Sequence, residues 1–110
     1  MKVTEKDFYL ILEDEKNEFK GFVKFLNDVH DQYKGHHLVI DILKYGTLSL
    51  EELLMFLEIS NRHRKAKKSF VIANDTINID HVPEELVVVP TLQEAEDIIQ
   101  MEEIERDLGF

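Results

Sequence analysis

The apolar residues of this chain alternate between two rhythms. Phe8-Tyr9-Leu10-Ile11-Leu12 is a short aromatic and aliphatic run closed by Glu13, Asp14 and Glu15, and it reads as a strand. From about 16 to 33 the period lengthens. Phe19, Phe22, Val23, Leu26, Val29 and Tyr33 recur on one helical face, Lys16, Lys20, Lys24, Asp28 and Asp31 fall mostly outside it, and Gly35 suits the C-cap. His37 to Leu43 is nearly continuous apolar sequence, as in a strand covered on both faces. After a turn at Tyr45-Gly46-Thr47, Ser49 and Glu52 spell a capping box. The helix it opens runs to about Arg64 and is expected to bury Leu50, Leu53, Leu54 and Leu57. Ser69 to Ala73 reads as a third strand, 76–85 as a loop or short helical turn containing Pro83, and Leu86 to Val89 as a fourth strand stopped by Pro90. Thr91 caps a last helix that reaches the C-terminus. The order βαβαβ-βα predicts a small single α/β domain over 1–110, with a mostly parallel four-stranded sheet and right-handed crossovers.

Two helices carry more apolar surface than one sheet can cover. At 100° per residue, Met55 and Ile59 lie nearly opposite the leucine stripe of the second helix, which predicts an exposed face for a partner. In the last helix, Leu92, Ala95, Ile98 and Ile99 share one side, and Met101, Ile104 and Leu108 lie about half a turn away. Either the helix bends near Gln100 or its end turns this second stripe toward something else. Between 94 and 107, seven acids (Glu94, Glu96, Asp97, Glu102, Glu103, Glu105, Asp107) face the single Arg106. Residues 100–110 therefore read as an acidic amphipathic tail, suited to another chain, a second copy or a basic partner.

Composition narrows the classes. With 23 acidic and 13 basic residues the formal charge is −10, which argues against broad charge-driven binding to nucleic acid. Cysteine is absent, which excludes disulfides, Cys-ligated zinc and a thiol nucleophile. The first residues lack the apolar run of a signal peptide, and no stretch approaches the ~20 apolar residues of a membrane helix. A cytoplasmic protein with no membrane association is expected. The basic run Arg62-His63-Arg64-Lys65-Ala66-Lys67-Lys68 suits the end of a helix, where cations complement the dipole.

Candidate chemistry is sparse. Asp41, Asp75 and Ser49 fall at or near strand carboxyl ends, and such a set can hold magnesium, but strand-end aspartates also cap turns. The chain has no Gly-rich phosphate loop and no GxSxG elbow. His36 and His37 point to opposite faces of a strand, and His30, His63 and His81 are isolated, so surface or boundary positions are expected for them. No catalytic residue, metal or cofactor is expected.

Leu38-Val39-Ile40-Asp41-Ile42, followed about eight residues later by a capped helix, resembles the central strand of the STAS domain, the fold of anti-sigma factor antagonists. Lys67 to Asn74 is similar to that family's third strand. Val87-Val88-Val89-Pro90-Thr91-Leu92-Gln93-Glu94-Ala95 is similar to its final strand and the start of its last helix. The resemblance covers about 36–99 and rests on pattern and order. It implies a bacterial, non-enzymatic regulatory module that binds another protein, such as an anti-sigma factor or similar regulator, through the helix after the central strand. In regulatory members that helix opens Asp-Ser-Ser-Gly and the second serine is phosphorylated. Here the aligned residues are Ser49-Leu50-Glu51-Glu52, so Glu51 holds the phosphoacceptor position and Ser49, at the aspartate's place, is the candidate phosphoacceptor. The front is also expected to be short, with one strand where the family has two. The implied partner-binding residues are Ser49, Glu51, Met55 and Ile59, to which the tail adds Met101, Ile104 and Leu108.

Two alternatives stand beside this reading. Phe8 to Asp14 and Leu38 to Ile42 also resemble strands one and three of a receiver domain, with Asp41 or Asp75 as phosphoacceptor and magnesium ligand. Only 26 residues separate Asp14 from Asp41, and the fourth strand ends without a lysine. An accessory subunit of an RNA-processing hydrolase is the other, because the chain itself lacks the His/Asp metal motif of such enzymes.

Overall fold

In the computed structural model, which describes residues 1–109, five strands form one sheet in the order β1-β2-β3-β4-β5. They are β1 (Lys2–Glu5), β2 (Leu10–Glu13), β3 (Leu38–Asp41), β4 (Phe70–Ala73) and β5 (Val87–Val89). The helices are α1 (Phe19–Val29), α2 (Leu50–Leu54), α3 (Leu57–Lys65) and α4 (Leu92–Asp107). The expected α/β class and the four apolar strands are present, and their three pairings are parallel. The four-strand count is corrected to five, and the single front strand to two. β1 pairs antiparallel with β2, Val3 opposite Leu12. Its sequence Lys-Val-Thr-Glu has one apolar side chain, itself 42% exposed, and so carries no periodic signal. Charged residues at both ends suit an edge strand.

Successive strands step across the sheet in one direction, so their crossovers stack on one face. There Leu12, Leu38, Ile40, Phe70 and Ile72 meet Phe22 and Leu26 of α1, Leu53 of α2 and Ile59 of α3. Ile77 and Val82, from the β4–β5 connection, close the same face. The opposite face (Ile11, Val39, Val71, Ala73) is covered by Ala95 and Ile99 of α4. Central strands buried on both sides read as unbroken apolar runs, which is why they were visible in the sequence.

The second helix is not continuous. The α2 segment ends at Leu54 and α3 restarts at Leu57, with Met55 and Phe56 between them. The face turned to the sheet is Leu53, Phe56, Ile59, Ser60 and His63, all buried, whereas Leu50, Leu54 and Leu57 are only partly so. The predicted capping box is formed. Ser49 Oγ accepts from the Glu52 N–H at 3.1 Å, and Glu52 Oε1 accepts from the Ser49 N–H at 3.0 Å. Ser49→Ala should lower stability by about 1 kcal/mol in urea unfolding followed by circular dichroism, with the unfolding slope unchanged.

Candidate functional site

Sheet carboxyl ends are where α/β folds usually place ligands, but here Asp14, Asp41 and Asn74 are committed to the chain itself. The Asp14 carboxylate accepts from the N–H groups of Lys16 and Glu18, both at 2.9 Å, and from the Tyr45 hydroxyl. Burial acts to raise Asp14, yet these donors outweigh it and hold the carboxyl below its ordinary value. Asp41 Oδ1 accepts from the Leu43 N–H at 3.2 Å, and Asn74 Oδ1 accepts from Thr76 and Ile77. Asp75 is exposed. Among the described residues no three His, Asp or Glu side chains gather as a metal would require.

The amino ends hold a network that sequence spacing did not reveal. Three of the histidines expected at the surface or its boundary are buried: His30, His37 and His63. His63 Nε2–H donates to the His36 carbonyl at 2.7 Å, which leaves Nδ1 to accept from His30 Nε2–H at 2.8 Å. The His63 ring is therefore neutral, and burial favours the neutral form of His30 as well. His37 Nδ1 accepts from the Ser69 N–H at 2.9 Å, and its Nε2–H donates to Glu103 at 2.8 Å. A groove of about 400 Å³ lined by Lys6, Phe8, His36, His37, Lys68 and Glu103 opens beside it. With both nitrogens of His37 engaged, neither is free to take a proton from a group bound there.

This network fastens the end of α4. Glu102 pairs with Arg64 at 3.0 Å and accepts from Ser69 Oγ at 2.5 Å, while Arg106 reaches Ser69 Oγ at 3.2 Å and Glu103 at 3.0 Å. The basic run and the acidic tail thus meet within one molecule. Residues 100–107 are the last turns of a continuous helix whose acids Glu102 and Glu103 turn inward. Outward go Met101 (49% exposed), Ile104 (59%) and Leu108 (66%).

The seven residues expected to bind a partner therefore separate into three groups. Ser49, Glu51 and Met55 (39% exposed) lie at the start of α2 and just past its end. Met101 and Ile104 lie on α4 and Leu108 at its C-cap, across the sheet from them. Ile59 has no exposed surface and is part of the core, so its assignment as a contact residue is corrected. The reason is the interruption at Met55 and Phe56, together with a buried face that includes Ser60 and His63 where the sequence favoured leucines. Among the described residues, no helix is long and apolar enough to cross a membrane. No family model matches the chain, and no curated protein matches it.

Proposed function

We propose that this chain is a non-enzymatic regulatory module that binds another protein through the start of α2, in the manner of a STAS-like anti-sigma factor antagonist without the phosphorylation switch. The observation that carries the reading is the pairing of Glu51 and Met55. They stand one turn apart, both exposed, at a helix whose neighbouring Leu53 and Phe56 are buried. This helix follows the central strand β3, as in that family, and two strands precede α1, as they do there. Glu51 supplies a permanent negative charge in the first turn, near the positive end of the helix. Engagement of Asp14 and Asp41 in their own turns supports binding over phosphoryl chemistry at those two positions.

The test is co-purification at native expression level with Glu51→Lys/Met55→Asp. Both positions are exposed, so the variant should keep the parent's circular dichroism and melting temperature while losing a specific protein that the parent retains. Retention of every co-purifying protein would sink the reading. Phosphopeptide mapping of native material should find Ser49 unmodified, and a stoichiometric phosphate there would restore the switch.

A further inference from the structure

The α4 helix inverts the usual arrangement of a surface helix. Its last turns place charged side chains against the domain and apolar ones in water. On a helical projection Met101, Ile104 and Leu108 fall within an arc of roughly 60°, opposite the side that carries Ala95, Ile99 and Arg106. The stripe is held rigid from beneath. Four side chains of the domain or of α4 itself (Arg64, Ser69, His37 and Arg106) tie down Glu102 and Glu103. A helix fixed in this way gives up little conformational entropy when its outer face is covered.

Charge says what covers it. The exposed charged residues beside the stripe are acidic: Asp97 one turn before Met101, Glu105 on one flank and Asp107 on the other, with the neutral Gln100 between Ile104 and Asp107. The only basic residue of α4, Arg106, is turned inward onto Ser69 and Glu103. A second copy would bring the same acids face to face on two chains that each carry −10, and such juxtaposition opposes association. We infer that the outer face of α4 docks a basic amphipathic helix of another protein, with an apolar stripe seated on Met101, Ile104 and Leu108 and flanking Lys or Arg against Asp97, Glu105 and Asp107. The inference rests on the reading of the chain as a protein-binding module and adds a second face, across the sheet from α2, with the chemistry of its partner.

The experiment titrates the ¹⁵N-labelled full chain with two synthetic helical peptides that share one leucine spacing. One carries lysine flanks and the other glutamate flanks. The lysine peptide should shift the amides of 97–108 saturably. Its affinity should fall at least tenfold with Ile104→Asp, a substitution at an exposed position that leaves the remaining spectrum in place, and at least threefold with Glu105→Lys. The glutamate peptide should shift none of these amides. Shifts scattered over acids elsewhere, or equal responses to both peptides, would overturn the inference. So would self-association of the free chain that closes on α4. Shifts confined to Glu51 and Met55 would overturn it too, while leaving the α2 reading standing; loss of the α2 result alone would leave the α4 face to this titration.

Discussion

Ile59→Asp should leave the chain unfolded at 25 °C, whereas Met55→Asp, four residues away, should change stability by less than about 1 kcal/mol. The contrast follows from burial. Ile59 has no exposed surface and joins Phe56, Phe70 and Leu26 in the larger core cluster. Removing its side chain costs about 2–5 kcal/mol for lost transfer energy and the cavity left behind. An unpaired carboxylate in that cavity adds several more, or forces the acid to stay protonated at the expense of its ordinary ionisation. A domain of this size holds only about 5–15 kcal/mol in total. Met55 is 39% exposed, so an aspartate there keeps its water. Urea titration with circular dichroism separates the two outcomes. A folded Ile59→Asp protein with a native midpoint would show that this face of α3 is not core.

That contrast also shows which parts of the molecule were legible beforehand. The strands β2 to β5 were, because burial on both faces demands unbroken apolar runs, and the starts of α2 and α4 were, because Ser49 and Thr91 are capping residues with a chemical signature. The phase of the second helix was not. Hydrophobicity selects Leu50, Leu53, Leu54 and Leu57, but the face against the sheet includes Ser60 and His63, polar groups that core hydrogen bonds make acceptable. Nothing in the local sequence announces those partners, since His30 and His36 lie 33 and 27 residues away. The break at Met55 and Phe56 has no proline or glycine to mark it. The edge strand β1 was hidden by its polarity. In α4 the two apolar sets were visible, but the choice of which one turns outward is made by Arg64, Ser69 and His37, residues on other elements.

The same buried polar groups make the domain acid-sensitive in a defined window. Burial holds the His63 imidazole down to about 4, the Arg64 charge and any proton taken up by His30 or His37 act in the same direction, and the His36 carbonyl opposes them. Burial also lowers His30, where Arg62 and Lys34 reinforce the effect and Asp31 opposes it. It lowers His37 as well, against the pull of Glu103. An unfolded histidine takes up its proton near 6.5. Between 6.5 and about 4 the unfolded chain therefore binds a proton at His63 that the folded chain refuses. Stability that is fully present above 6.5 is lost as the pH falls through this range. At about 1.4 kcal/mol per pH unit, His63 alone removes roughly 2 kcal/mol by pH 5 and roughly 3 kcal/mol by pH 4. His30 and His37 add losses of the same sign. Ordinary carboxylates stay ionised down to about pH 5, so the upper part of the window isolates the histidines from the relief of net negative charge that follows at lower pH. Geometry gives the same direction. A second proton on His63 would set N–H against N–H across the 2.8 Å contact unless His30 changed tautomer, and that change would place a buried His30 Nδ1–H where no acceptor stands. Unfolding free energies measured in urea at half-unit steps from pH 7 to 5 should show the decline. His63→Gln, less stable at pH 7, should flatten it by about 2 kcal/mol over the same range. If that variant keeps the parent's slope, the acid sensitivity resides elsewhere and the neutral His30–His63 pair is not its source.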